Sequence, residues 1–472
     1  MDGALRPPVA APKAQGTPDN GGHTMSEHTE DLEDRRVTRR RFIQGAGATA
    51  AAAGLGALGP IRAAGASAPA GGRAGTINIG YVTPSTGPLA PFGEADNFVL
   101  STVRRTFRKG IKIGGETWSV KITSKDSQSD PDRAANVASE LILQDGIDLM
   151  LVSSTPETTN PVADICEANG QPCVSSVAPW QPYFVGRGGD PTDPESGFDW
   201  TYHFFWGLED ISAVFLDMWT QVSTNNAVAG LFPNDGDGQA WSDAQLAFSK
   251  PISGGGYTIT NPGLYPNGND NFSSQIQAFR GANAEVLTGV PQPPDFTTFW
   301  TQARQQGFIP KIASVGKALL FPSSVEALGG AGENLSTEVW WSPTHPFKSS
   351  LTGQTAKELA DAYEKRTGKQ WTQPIGFAHA LFEVANDVFK RSRDPKDKDR
   401  VARAIRRTNL DTIVGKIDWG ARGVPKNVAK TPLVGGQWVT GGGRFPYDLI
   451  VVSNKDHTNI PKAGDLKPIP GS

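Results

Sequence analysis

The sequence predicts an α/β fold built from two doubly wound lobes. From Thr76 onward, short apolar segments alternate with amphipathic helices, an order that favours parallel sheets with helices on both faces. The same alternation begins again after a loop rich in Gly, Asp and Pro at residues 186–199. No repeat of fixed period is present, which sets aside solenoid and propeller architectures.

The first lobe is predicted from strands at 77–82 and 118–122, followed by a helix that begins at Asp130-Pro131. The apolar residues of this helix recur at helical spacing: Ala134, Val137, Ala138, Leu141 and Ile142. A buried strand at 149–152 comes directly afterwards. This is one complete β-α-β unit.

The second lobe is predicted from helices that each lead into a strand. The helix–strand pairs are 212–222 with 228–232, 273–282 with 285–288, and 296–306 with 312–315. The region 353–408 is predicted to be mainly helical, and short β segments are predicted at 413–419 and 447–452 in a Gly-rich tail.

The length of the chain indicates more than one lobe, and its charges do not indicate a basic surface that would bind polyanions. The chain has 472 residues and a net charge of -3, from 45 basic and 48 acidic residues that are well mixed along the sequence. Nucleic acid is therefore not an expected partner. No stretch after Leu58 is apolar for long enough to cross a bilayer, so no transmembrane helix is expected in the mature chain.

The amino-terminal segment 1–68 is predicted to be an extension with a twin-arginine export signal. Arg39-Arg40 is followed by Phe42-Ile43 and then by a weakly hydrophobic run of small residues from Gly45 to Leu58. Candidate cleavage sites are 64–66 and 66–68, and no cysteine lies near them, so no lipid anchor is expected. Met25 is an alternative start to Met1. We therefore expect a periplasmic or secreted protein that uses the twin-arginine translocase; the alternative is a basic tail before an Ala-rich helix.

Cys166 and Cys173 are the only two cysteines of the chain. They are separated by a segment that is typical of a helix end, a Gly turn and a strand start, which brings two Cα atoms within disulfide range. We predict a disulfide between them. The alternative is two buried thiols, since cysteine is often a small core residue.

Catalytic signatures are absent from the sequence. There is no GxSxG elbow, Walker A loop, HExxH motif or EF-hand loop, and the histidines are widely spaced, so neither a cofactor nor a metal site is expected. Ser314-Val315-Gly316-Lys317 has the Ser-x-x-Lys spacing of penicillin-binding enzymes but lacks their accompanying elements. The chain is therefore not expected to be an enzyme.

Loops rich in hydroxyl and small residues follow several predicted strands. They lie at 83–93, 153–155 and 175–180. In open α/β sheets, ligands bind outside the carboxyl ends of the strands, where loop N–H groups and helix N-termini point outward. A single such loop is usually an ordinary helix cap, but three on one edge favour a site for a carboxylate or another polar acceptor.

Several segments together resemble the branched-chain amino acid (Leu/Ile/Val) binding family of type I periplasmic solute-binding proteins. They are INIGYVTPSTGPLAPFGE, the stretch from Gly114 to Thr155, and NPVADICEANGQPCVSSVAP in the first lobe, with NDNFSSQIQAFRGANAEVLTGV and FTTFWTQARQQGFIPKIASVG in the second. The resemblance covers most of 76–419. It implies two α/β lobes that are joined by three crossover segments and close on a small molecule for an ABC permease.

Carried over by position, the resemblance assigns ligand-facing residues in both lobes. They are Phe92, Ser154 or Thr155, and the loop from Ser176 to Ala178 in the first lobe, and the loop 235–241, including Asp235 and Trp241, with Val290, Pro291 and Lys317 in the second. Trp180 and Trp241 are predicted to offer flat walls; the alternative is that either indole is core packing. Amino acid binders of the family carry an acid where Lys317 stands, so a free lysine there favours a carboxylate ligand without an ammonium group. The alternative is that Lys317 faces solvent, in which case it indicates nothing about the charge of the ligand.

The sequence therefore predicts the exported binding component of an ABC importer, which captures an amino-acid-like, amide or organic-acid ligand between its lobes. Lobe 1 is predicted at 76–203 and 343–432, and lobe 2 at 204–342 and 433–460, with hinges near 202–205, 341–343 and 431–435. A ligand sensor of the same fold and an exported enzyme are the alternatives. A turnover screen and ligand-dependent stabilisation separate the enzyme from the binding protein.

Overall fold

The computed structural model describes residues 73–245 and 248–472. The predictions for the export signal, for Arg39-Arg40 and for the start at Met25 lie outside these residues. Within the described chain, no helix combines the length and apolarity that a membrane span requires.

Sixteen strands and thirteen α-helices form the described part of the chain. The strands are β1 (Thr76–Thr83), β2 (Ile111–Ile113), β3 (Glu116–Asp126), β4 (Leu149–Ser153), β5 (Cys173–Ser176), β6 (Thr201–Phe204), β7 (Ala227–Leu231), β8 (Thr258–Thr260), β9 (Val286–Gly289), β10 (Ile312–Val315), β11 (Ser336–Val339), β12 (Asn409–Thr412), β13 (Gly415–Asp418), β14 (Val428–Ala429), β15 (Val434–Thr440) and β16 (Tyr447–Ser453). The helices are α1 (Asp96–Phe107), α2 (Pro131–Leu143), α3 (Pro156–Ala168), α4 (Trp180–Phe184), α5 (Leu208–Trp219), α6 (Gly236–Ser242), α7 (Ser249–Gly254), α8 (Ser273–Gly281), α9 (Pro293–Gln305), α10 (Pro322–Glu326), α11 (Ala356–Thr367), α12 (Pro374–Ser392) and α13 (Lys398–Arg406).

The strands form two seven-stranded sheets, which confirms the predicted pair of doubly wound lobes. The first sheet has the order β14-β6-β5-β4-β1-β3-β2, and the second has the order β16-β15-β11-β10-β9-β7-β8. Every pairing in the first sheet is parallel except β2–β3, and in the second sheet β15 pairs antiparallel with both β11 and β16. A separate hairpin joins β12 and β13.

The chain passes between the two sheets three times, as the fold class requires. It leaves the first sheet after β6, returns to that sheet's face after β11 by way of α12, and crosses again between β14 and β15. The residue bounds predicted for the lobes and the hinges remain predictions.

Local sequence explains the elements that position the cleft. Asp130 caps α2 by accepting a hydrogen bond from the Arg133 backbone N–H at 2.7 Å, and Pro131 occupies the first turn. The five residues of β4 are all buried, as expected for a strand covered by helices on both faces. The carboxyl end of β4 therefore meets the start of α3 with no exposed loop between them.

The predicted disulfide is not formed in the structure, which has Cys166 and Cys173 as two free, buried thiols. Cys166 lies on α3 and Cys173 begins β5, and both pack with Val137, Leu141 and Met150 in one apolar cluster. Each cysteine acts there as a small hydrophobic residue, which was the stated alternative. Burial accordingly raises the pKa of the Cys166 thiol well above its ordinary value.

Candidate functional site

A narrow pocket lies where the carboxyl ends of strands from both sheets meet, in the cleft between the lobes. Its cavity volume is about 20 Å³. A cavity of this size holds about one water molecule, so a larger ligand enters only when the lobes move apart. Residues of the first sheet, of the second sheet and of the links between them all contribute to its wall.

The first lobe contributes Phe92, Thr155, Val177 and Pro179 to the pocket. Phe92 is buried in a short 3-10 turn, and its ring meets Phe321 edge to face at 4.8 Å between centroids. Thr155 precedes α3, and its buried side chain is hydrogen-bonded to Glu157 in the first turn of that helix. Val177 follows β5 with a φ of 78°, a left-handed conformation that is costly for a β-branched residue and that is typical of functional sites.

Three aromatic residues from the links between the sheets form one side of the pocket. Phe205 and Trp206 follow β6, and Trp340 follows β11. The Phe205 ring lies 4.8 Å from Trp206 and 5.3 Å from Trp340, measured between centroids. On the second-lobe side, Trp241 completes the aromatic wall and is held in place by stacking on Phe248 at 4.4 Å.

Lys317 is surrounded by three carboxylates at the end of β10. Its Nζ lies 2.8 Å from Asp237 Oδ2, 3.3 Å from Asp235 Oδ2 and 3.5 Å from Glu157 Oε1. Its side chain is only 2% exposed, and its φ is 56°. Glu157 lies on α3 of the first lobe, whereas the two aspartates belong to α6 and its cap in the second lobe. This buried cluster therefore joins the two lobes.

The cluster around Lys317 contains three carboxyl groups and a single amine. Burial lowers the pKa of Lys317, but the three carboxylates raise it by more, so the ammonium stays charged. Burial raises the pKa of Glu157 to about 7, against the opposing effect of Lys317, and it raises that of Asp237 as well. Glu338, a pocket residue on β11, has its pKa raised to about 7 by burial.

The second lobe also approaches the first directly at the start of α6. A Cβ placed on Gly236 would lie 3.3 Å from the Cβ of Pro156 on α3 and 3.9 Å from Glu157 Oε1, with no other atom within 4 Å. A side chain here would therefore press against Pro156 more tightly than an ordinary contact. The structure therefore has the two lobes in contact beside the pocket.

Seven residues of the predicted ligand-facing positions and loops line the pocket: Phe92, Thr155, Val177, Asp237, Trp241, Val290 and Lys317. Asp235 lies next to it, where it caps α6 by accepting the Gly238 N–H at 2.8 Å and lines a wider groove in the cleft with Glu157.

The other predicted residues have structural partners nearby and are not part of the pocket wall. Ser154 accepts a hydrogen bond from Thr158, and Ser176 donates to the Phe204 carbonyl at 2.6 Å. The carbonyl of Ala178 lies 2.7 Å from His203 Nε2, and Trp180 donates its indole N–H to Glu209 at 3.0 Å. Pro291 follows Val290, which does line the pocket.

Near the crossovers, sequence reasoning missed Phe205, Trp206, Glu338 and Trp340 as pocket residues. Each follows or lies within a strand near a crossover between the lobes, so only the three-dimensional assembly brings it to the pocket. Glu338 carried a usable signal, because a charged residue inside a strand that is buried at every position needs a partner or a function. No group of three metal-ligating side chains was found among the described residues.

Residues 76–443 match the protein family described as "Periplasmic binding protein". The chain is 23% identical over 359 residues to the Leu/Ile/Val-binding protein homolog 3 of Brucella melitensis, an alignment that covers 74% of this chain and 88% of that protein.

Solved structures share the fold. The leucine binding protein LivK of Thermotoga maritima is 19% identical with a TM-score of 0.62, covering 80% of this chain and 99% of its own. A solute binding protein of an ABC transporter from Rhodopseudomonas palustris BisB5, in complex with 3,4-dihydroxy benzoic acid, is 16% identical with a TM-score of 0.63, covering 84% of this chain and 99% of its own. The family match spans most of the chain, and both structures have its two-lobe fold. The chain therefore belongs to the periplasmic binding protein family and has its type I fold.

Proposed function

We propose that this protein is the binding component of an ABC importer and captures a small molecule by closing its two lobes around the cleft pocket. The observation that carries the proposal is that one small pocket is walled by both lobes and by the links between them. A ligand that touches both lobes shifts the population toward the closed form. The permease then recognises that closed shape.

The pocket supports binding more than catalysis. Its ionisable and hydroxyl groups are the buried Lys317, Asp237 that pairs with it, Glu338 and the Thr155 hydroxyl, which do not form the nucleophile–base–orienter arrangement of a catalytic site. Retention and release of an unchanged ligand need no such pair.

Small-angle scattering tests the closure. Ligands are first found by thermal shift against amino acids, amides, aromatic acids and dicarboxylates. We expect the radius of gyration to fall at saturating ligand. The matched variant is Gly236→Phe, whose bulky side chain begins at a Cβ that already approaches Pro156 and Glu157 of the opposite lobe. It is expected to hold the lobes apart, with a larger radius that ligand does not change. An identical ligand response in both proteins would contradict the proposal.

Export through the twin-arginine translocase is proposed from Arg39-Arg40 and the weakly hydrophobic run that follows. Replacement of both arginines by lysine is expected to leave precursor in the cytoplasm, as seen by cell fractionation and immunoblotting. Mature protein outside the cytoplasm at the wild-type level would exclude this route. Arg35→Lys with Arg36→Lys, which alters the preceding arginine pair, is the control and should be exported normally.

A further inference from the structure

We propose that the ligand is a flat, uncharged compound with a carbonyl acceptor beside an N–H donor, of the aromatic carboxamide or lactam class. This inference rests on the proposed function, because it takes the cleft pocket as the ligand site. Three properties of the pocket wall lead to it: its ring content, its unpaired donors and its charge balance.

The wall presents five aromatic rings to a small space. They belong to Phe92, Phe205, Trp206, Trp241 and Trp340. Each ring is fixed by packing, since all five residues are nearly completely buried. A flat apolar ligand can contact several ring faces or edges at once, whereas a branched aliphatic chain leaves much of such a wall uncovered.

The same wall contains an excess of hydrogen-bond donors. All twelve tryptophans lie within the described residues, and four have a buried indole N–H without a partner: Trp206, Trp241, Trp340 and Trp341. Three of these four line the pocket. By contrast, Trp219, Trp300 and Trp438 donate to protein oxygens. An indole N–H can only donate, so the ligand that satisfies this wall presents acceptor oxygens.

The charge of the wall argues against an anion. Lys317 is the only basic residue that lines the pocket, and three carboxylates already surround it. Asp237 and Glu338 also line the pocket. A ligand carboxylate would therefore meet two acids and a lysine whose charge is compensated, which is unfavourable. The sequence alone predicted that Lys317 favours a carboxylate ligand, because the three carboxylates beside it were not known.

One hydrogen-bond acceptor of the pocket wall has no donor in the protein, and the ligand can supply one. Asp237 Oδ1 is buried and unpaired, while its Oδ2 holds Lys317. An amide N–H can donate to Oδ1 while the amide carbonyl accepts from indole N–H groups. An amidinium cation could also donate to Asp237, but it has no acceptor for the indoles.

Three compounds of nearly equal shape separate these possibilities: benzoate, benzamide and benzamidinium, with charges of -1, 0 and +1. Isothermal titration calorimetry at pH 8 is expected to give benzamide an affinity at least about tenfold above the other two, a difference of about 1.4 kcal/mol. Tighter or equal binding of benzoate or benzamidinium would overturn the inference. So would a failure of benzamide to bind at millimolar concentration.

Two variants test the assigned contacts. Trp206→Phe keeps the ring and removes one N–H, so benzamide affinity should fall about fivefold. Trp341→Phe, which loses an equally unpaired N–H outside the pocket, should leave affinity unchanged. Asp237→Asn frees Lys317 from its nearest carboxylate and should shift the preference toward benzoate. Equal effects of Trp206→Phe and Trp341→Phe would contradict the inference.

The failure of this inference can be told from a failure of the proposed function. If another compound closes the lobes in wild type and not in Gly236→Phe, while benzamide does not bind, the ligand class is wrong and the binding function stands. If no compound of the thermal-shift panel changes the scattering profile, the proposed function itself fails.

Discussion

A single lysine holds together three carboxylates from two lobes at the edge of the cleft. Lys317 reaches Asp235 and Asp237 within its own lobe and Glu157 across the cleft. Each of these groups would be expensive to bury alone, and their mutual compensation makes the cluster tolerable. The lysine is therefore a structural counter-charge for the acids around it before it is a ligand contact.

Removal of that counter-charge should destabilise the protein in a pH-dependent way. Lys317→Met is expected to lower the free energy of unfolding at pH 8 by about 3–5 kcal/mol, because it leaves unpaired buried carboxylates. The loss should be smaller at pH 5, since burial holds the pKa of Glu157 at about 7 and the acid is protonated there. Urea denaturation at both pH values measures the difference.

The control is Lys357→Met, which breaks an exposed ion pair with Asp361 on one helix. We expect a change below about 0.5 kcal/mol at either pH, as for other surface pairs. If Lys317→Met were as mild as this control, the cluster would have no role in stability.

At the scale of elements, α6 positions more of the site than any other short helix. It carries Asp237 and Trp241, and its cap is Asp235. A tight turn sets its position, because a Cβ on Gly238 would lie 1.8 Å from the carbonyl oxygen of Pro233. The helix can only sit this close to the end of β7 with a glycine at that position.

Gly238→Ala should therefore displace α6 and abolish ligand binding, with a loss of stability of about 1–3 kcal/mol from overpacking. Gly281→Ala is the matched control at the end of α8, where a Cβ would meet no atom within 4 Å. It should keep wild-type affinity and stability to within about 1 kcal/mol. Calorimetry and thermal unfolding of both variants decide the point, and normal binding by Gly238→Ala would refute it.

At the scale of the whole molecule, buried titratable groups set the pH at which the fold is most stable. Burial raises the pKa of four carboxylic acids to about 7: Asp96, Glu157, Glu338 and Glu383. Burial also lowers the pKa of three histidines to about 3 or 4: His203, His345 and His379. The acids make the folded state bind more protons than the unfolded state, and the histidines make it bind fewer.

The acids and the histidines change the free energy of unfolding in opposite directions as the pH rises. Stability from the acids is lost as the pH rises through about 7, and stability from the neutral histidines is lost as the pH falls below their unfolded pKa of 6.5. Between pH 6.5 and 8 the acids outweigh the histidines, because each acid lowers the free energy of unfolding by about 0.8 kcal/mol while each histidine raises it by only about 0.4 kcal/mol. Glu338→Gln should show a smaller fall over this range in urea titrations. A slope equal to that of wild type would show that Glu338 is not the group that titrates.

The sequence was sufficient to predict the two-lobe fold because strand and helix periodicity are local properties. The predicted strand at 312–315 is β10 as observed, and Asp130 caps α2 as expected. The pocket could be predicted only in part. Phe92 and Thr155 lie in loops whose position at a strand end is readable, whereas Trp206 and Trp340 reach the pocket through crossovers between distant segments.

The carboxylates around Lys317 could not be predicted from the sequence, because they too come from distant segments of the chain. Its partners lie 82, 80 and 160 residues away along the chain, at 235, 237 and 157. The sequence showed the departure from the family's acid but not the carboxylates that compensate the lysine. Residues this far apart in the sequence come together only when the two lobes have folded.

The late position of α12 in the chain affects how a newly synthesised molecule can fold. This helix covers the first sheet through contacts with α1, β2, β4 and β5, yet it is translated only after five of the seven strands of the second sheet. A nascent chain that has already made β1–β6 must therefore keep their apolar face from aggregating until Pro374 and the residues after it emerge from the ribosome. Contacts of such long sequence separation also slow folding. A precursor that completes its folding in the cytoplasm, with chaperones present, avoids this hazard, and the twin-arginine route proposed above carries its cargo in that folded state.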